Sequence, residues 1–157
     1  MQIHELITPQ RISVSLPVTS KKRLLEHLSE LLGHDAIGVD AQAAFQCLVE
    51  RERLGSTGIG EGVALPHGRV PGLRQAVGAF VTLSQPMDFD AIDSKPVNMV
   101  FALLVPEAAT SEHLQLLARL ATVFRDPTAR QQFSEAHDSE ELYSSLTASE
   151  ARIANTA

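Results

Sequence analysis

Cysteine is almost absent: Cys47 is the only one among 157 residues, which excludes an intrachain disulfide and a chelating cysteine pair and fits a reducing compartment. Long apolar runs are missing too. The longest, VNMVFALLVP at 97–106, is about half of what a helix needs to cross a bilayer, so no membrane span is expected. The opening MQIHELITPQR lacks the basic start, apolar stretch and small-residue cleavage site of a secretory signal; a cytoplasmic protein is the expectation. Positive charge is in deficit as well. Thirteen basic against nineteen acidic residues leave a net charge of −6, which repels nucleic acid unless the cations cluster on one face. Lys21, Lys22 and Arg23 come nearest to a cluster, and they read as the solvated first turn of a helix. No nucleic-acid partner is expected.

What is present suits one domain with one proper core, at 157 residues and 44% hydrophobic content. Ile12, Val14 and Leu16 alternate with polar residues, the period of a strand over 11–16 with one buried face. Ser20 can cap a helix carrying Leu24, Leu25, Leu28, Leu31 and Leu32 at helical spacing up to Gly33. Asp40 can cap a second, with Ala44, Phe45, Leu48 and Val49 facing the core and Gly55 ending it. Residues 76–83 and 97–105 are β-rich, the second apolar enough for a central strand. Thr110 or Ser111 can cap a third helix with Leu114, Leu117, Ala118, Ala121 and Phe124 inward and His113 in or near its first turn. Asp126 before Pro127, and Asp138 with Glu141, open two short closing helices. ARIANTA has no periodicity, which predicts a domain over 1–148 and a flexible tail over 149–157. This order of elements predicts an α/β fold in three layers, helices covering both faces of a sheet.

The chemistry concentrates in GSTGIGEGVALPHGRVPG at 55–72. Gly58, Gly60 and Gly62 alternate, a backbone able to turn several N–H groups toward one anion-friendly concavity. The spacing is wrong for a dinucleotide fingerprint, Pro66 and Pro71 block a following helix, and no G-K-S/T holds a nucleoside triphosphate. In VALPHGR, Pro66 fixes the backbone before His67 and Gly68 leaves space beside the ring. A neutral imidazole keeps a free lone pair near pH 7 and needs no general base. Attack on a phosphoryl group would give a phosphoimidazole, with Ser56, Thr57 and the glycine backbone as candidate donors. A structural glycine turn with an ordinary histidine is the competing reading. Cys47 sits in a helical pattern and reads as a buried inert thiol; His4, His27, His34 and His137 stand alone in surface contexts. No metal or cofactor is expected.

ERLGSTGIGEGVALPHG resembles the active-site signature of the fructose/mannitol-type enzyme IIA domains of the bacterial phosphotransferase system, and the resemblance continues through FDAIDSKPVNMVFALLVPE, SEHLQLLARLA and DSEELYSSL, over most of residues 5–147. It implies a mixed β-sheet flanked by helices. It also implies a phosphotransferase in which His67 is the transiently phosphorylated residue, His113 a second active-site histidine stabilising the phosphoryl group, and Arg51 an arginine offsetting its charge. The residues themselves, apart from the resemblance, put Ser56, Thr57, Gly58 and Gly60 forward as a phosphoryl-binding loop. Within the family, GSTGIGEGVALPHGR and FDAIDSKPVNMVFALLVP resemble the nitrogen-related enzyme IIA. That likeness implies a regulator, taking phosphate from a histidine phosphocarrier protein and acting on target proteins, with membrane transporters or sensor kinases as conceivable contacts. Ile59 and Leu65 are the apolar residues expected to meet the carrier. A sugar-specific enzyme IIA that serves a membrane permease, and a binding module that has lost phosphotransfer, are the alternatives.

Overall fold

The computed structural model describes residues 1–34, 38–108 and 110–156. Two short 3-10 turns, Ile3–Glu5 and Pro9–Arg11, lead into β1 (Ile12–Leu16), then α1 (Lys21–Gly33) and α2 (Ala41–Arg53). Three short strands follow, β2 (Gly58–Gly60), β3 (Val63–Ala64) and β4 (His67–Val70), and two long ones, β5 (Val77–Met87) and β6 (Val97–Pro106). The chain closes with α3 (Thr110–Arg125), α4 (Pro127–Glu135) and α5 (Ser139–Thr156).

Local chemistry explains the helix starts. The Ser20 hydroxyl accepts from the Arg23 N–H, Asp40 from the Ala43 N–H and Asp126 from the Ala129 N–H, each satisfying a donor the helix cannot. Asp138 accepts from Glu141, but the Glu141 carboxylate reaches back to the His137 N–H rather than closing a capping box. α3 begins at Thr110, so Thr110 and Ser111, expected as its caps, lie within its first turn instead, and the residue before it, Ala109, lies outside the described residues.

The sheet runs β1-β5-β6-β3-β2, with β4 also paired to β6. β5 and β6 are antiparallel, while β1 on β5 and both β3 and β4 on β6 are parallel, so the sheet is mixed. β6 is buried from Met99 to Val105, as its unbroken apolar run predicts. Its two faces define two cores. Val100, Ala102 and Leu104 pack with Leu24, Leu28, Leu32, Ala44 and Leu48 of α1 and α2. Phe101, Leu103 and Val105 pack with Leu116, Leu120, Phe124, Phe133, Leu142 and Leu146 of α3, α4 and α5. Phe80, Phe124 and Phe133 meet mutually at centroid distances of 5.3 to 5.4 Å, contacts worth about 0.5–1.5 kcal/mol each beyond their area. This cluster clamps α3 to the sheet.

Two expectations are corrected. The inner face of α3 is rotated: Leu114 is 66% exposed and Ala118 is exposed, while Leu116, Leu120, Val123 and Phe124 are buried. The apolar residues of LQLLARLATVF allow more than one phase, and packing against the phenylalanine cluster decides. The tail expected from 149 onward is instead the end of α5, which runs to Thr156 with Ser149 and Glu150 buried. The Glu150 carboxylate accepts from the backbone N–H of Ile3 at 2.7 Å and of His4 at 3.3 Å, and Arg119 lies 3.5 Å away. A polar anchor to the N-terminus, rather than an apolar stripe, fixes this end. Among the described residues no helix is long and apolar enough to cross a membrane.

Candidate active site

β4 is an edge segment with β6 as its one paired neighbour among the described residues. Its register sets His67 beside Leu103 and Arg69 beside Val105, both of the α3 face, and Gly68 beside Leu104, of the α2 face. Strand alternation therefore sends His67 and Arg69 toward α3 and Gly68 toward α2. A Cβ on Gly68 would collide with the Sγ of Cys47. The space that the sequence reserves beside the His67 ring is thus where α2 docks on β4. Cys47 is half-buried rather than buried; its thiol donates to the Arg69 carbonyl at 3.6 Å, and burial, with Glu50 adding, pushes its pKa up. That keeps it a weak nucleophile.

The close docking carries Arg51, one turn beyond Cys47 on α2, to the same edge. A cavity of about 350 Å³ opens there between His67, His113, Arg51, Arg69, Cys47 and Glu50. His113 arrives from the first turn of α3, on the stripe that continues through Leu116 and Leu120. The two imidazoles meet edge to face, centroids 5.2 Å apart with an 81° interplanar angle. Arg51 donates to the Gly55 carbonyl at 2.9 Å, which steadies the guanidinium at the helix end while other N–H groups of its fork remain for the cavity.

His67 Nδ1 lies 2.7 Å from the Leu65 carbonyl oxygen. A carbonyl only accepts, so Nδ1 carries the proton and Nε2 the lone pair. Burial is the main cause that lowers the His67 pKa below 6.5, with Arg51 adding, while the Leu65 contact and the Glu52 charge pull the other way. Burial also lowers that of His113, followed by His67, Arg69 and Arg51. Both rings are therefore neutral at pH 7. His113 Nδ1 is shielded from solvent and has no hydrogen-bond partner among the described residues.

The glycine loop is placed otherwise than expected. Ser56 gives its hydroxyl to the Phe89 carbonyl and accepts from the Gly58 N–H. Thr57 gives Glu52 both its N–H, at 3.0 Å, and its hydroxyl, at 2.7 Å. Gly60 faces the Asp93 carboxylate. These groups hold the loop to α2 and to the 88–93 turn, and none of the four residues lines the cavity. The Ser56 hydroxyl, the Thr57 N–H and hydroxyl and the Gly58 N–H are already spent on structure, so the phosphoryl-binding loop expected from Ser56, Thr57, Gly58 and Gly60 is not where the histidines are. Leu65, expected to meet a carrier, is 4% exposed. Lys21 is no solvated first-turn residue either: its Nζ lies 2.8 Å from Glu52 and 4.3 Å from the centre of the Phe89 ring. A larger hollow of about 490 Å³ between α3 and α5 is lined by Gln115, Arg119 and Ile153, away from both histidines.

Residues 5–149 match the family described as phosphoenolpyruvate-dependent sugar phosphotransferase system, EIIA 2. The chain belongs to this family. It is 43% identical over 143 residues to the nitrogen regulatory protein of Pseudomonas aeruginosa, covering 91% of this chain and 93% of that one. The crystal structure of nitrogen regulatory protein IIA-Ntr from Neisseria meningitidis superposes with a TM-score of 0.86 at 44% identity, over 92% of this chain and 98% of that one. The mannitol IIA of Escherichia coli, at 17% identity, shares the fold with a TM-score of 0.74 over 89% of this chain and 98% of that one. The expected mixed sheet with flanking helices is thus the fold of these enzyme IIA proteins. This enzyme IIA is a phosphotransfer protein of the nitrogen-related type by its family and its relatives.

Proposed function

We propose that this enzyme IIA carries a phosphoryl group on Nε2 of His67, taken from a histidine phosphocarrier protein, and that target proteins read its phosphorylation state. The observation that carries this reading is the 2.7 Å contact of His67 Nδ1 with the Leu65 carbonyl, which leaves Nε2 as the free nucleophile on a rigid strand end beside His113 and Arg51. Transfer forms the Nε2–P bond as the N–P bond of the donor histidine breaks, and the electron pair returns to the donor imidazole. Positioning and charge stabilisation are what the protein must supply. His113 offers a ring N–H to a phosphoryl oxygen, and Arg51 a guanidinium.

The nitrogen regulatory names of the relatives at 43% and 44% identity support a regulatory output, which we propose is exerted in the cytoplasm. The deciding experiment uses phosphoenolpyruvate, enzyme I and the phosphocarrier with labelled phosphate. The native chain should take up label and His67→Ala should not; equal labelling of both removes His67 as acceptor. Deleting the gene separates regulation from transport: a defect confined to uptake of one sugar, with normal growth across nitrogen sources, would place the protein in sugar transport instead.

A further inference from the structure

The geometry points to Arg69 as a second guanidinium on the phosphoryl group, approaching from β4 while Arg51 approaches from α2. This rests on the reading of His67 as the acceptor. His67 and Arg69 are two residues apart on one strand, and the register of β4 on β6 puts both on the α3 face, where His113 stands. Arg69 lines the same cavity as His67, His113 and Arg51. Its side chain is exposed at the rim and its backbone is fixed from behind, the carbonyl accepting from Cys47.

Charge matching favours two cations. A phosphoryl group on Nε2 carries close to two negative charges near pH 7, and both imidazoles are neutral there, so Arg51 alone would leave the group half-compensated. Arg51 from α2 and Arg69 from β4, lining one cavity, together supply two positive charges. Glu50, the carboxylate on the rim, works against them and lies near Cys47. Planar guanidinium forks suit the oxygens of a tetrahedral phosphoryl group. Neither arginine exchanges a proton with the group; both donate hydrogen bonds to it, more strongly once the dianion is in place, which favours the phosphorylated form over the free one.

The test compares the native chain, Arg69→Gln and Arg69→Lys, each charged enzymatically from the phosphocarrier. Two quantities are read: the distribution of label between donor and acceptor at equilibrium, and the 31P NMR pH titration of the phosphohistidine. Loss of the guanidinium should move the equilibrium about tenfold toward the donor, the effect of one charge-assisted hydrogen bond, and raise the pKa of the phosphoryl group. Arg69→Lys should fall between Arg69→Gln and the native chain, since it keeps the charge and loses the fork. An unchanged equilibrium with an unchanged titration overturns the assignment. So does a slower transfer that salt abolishes while the titration stays native, because Arg69 would then only steer the donor. No label on the native chain, or equal label on His67→Ala, removes the acceptor and this assignment with it. Circular dichroism shows whether the exposed substitution left the fold intact, and Arg69→Lys carries the comparison if Arg69→Gln does not fold.

Discussion

Thr57 donates both its backbone N–H and its hydroxyl to one carboxylate, that of Glu52, whose side chain is only 6% exposed. Lys21 completes the site from α1 at 2.8 Å. The network ties the end of α2, which carries Arg51, to the start of the glycine loop. Thr57→Val keeps the shape and removes the hydroxyl, leaving a buried carboxylate short of a donor. It should cost about 1–3 kcal/mol, measured as a lower midpoint in urea with an unchanged slope. An unshifted midpoint would mean that Lys21 and the backbone N–H suffice.

Gly68→Ala should destabilise by about 1–3 kcal/mol, the range for overpacking, because the new methyl meets Cys47 Sγ. Cys47→Ala should relieve the clash. A double-mutant cycle on thermal unfolding checks this: the two substitutions together should cost less than their sum. Simple additivity would show that the strain lies in the β4 backbone rather than in the contact with α2.

The elements with local signals were legible in the sequence. Ser20, Asp40 and Asp126 act as the caps that their positions suggest, and the alternation of Ile12 to Leu16 and the apolar run at 97–105 became strands. His67 was readable because proline and glycine flank it; the pairing of His113 and Arg51 with it came from family likeness, and the fold brings all three to one cavity. Contacts between distant segments left no mark: Lys21 with Glu52, Glu150 with the N-terminus, and the register that turns Arg69 toward His113. The glycine loop misled for a definite reason. Free donors can be counted in a sequence, but whether Phe89, Glu52 and Asp93 have already claimed or faced them depends on the tertiary fold.

His113→Ala should slow phosphotransfer about tenfold or more, the loss of one hydrogen bond to a charged group, with little change in stability. The stability half follows from its Nδ1, which has no partner to lose among the described residues. Rapid-quench transfer rates beside a thermal melt test both halves. Native rates remove His113 from the chemistry, and a large fall in melting temperature would make it a packing residue.

Acid should affect the protein through His67 in two linked ways. Its folded pKa lies below 6.5, chiefly through burial, so the lone pair persists to lower pH than in a free histidine, and phosphoryl acceptance should fail only as pH drops through that lowered value. In the unfolded chain the ring takes a proton near its ordinary pKa of about 6.5. Below that point the unfolded state binds more protons than the folded one, so the contribution of His67 to stability falls with falling pH, and the loss is complete below the folded pKa. Arg51→Gln removes one of the lowering charges while burial remains, so the His67 pKa should rise part of the way toward 6.5 and the acid limb of the rate profile should move up with it. A two-dimensional NMR titration of the ring in both proteins reads the shift directly. A His67 that titrates at or above 6.5 in the native chain would contradict the burial argument, and an unmoved titration in Arg51→Gln would place that guanidinium out of electrostatic reach of the ring.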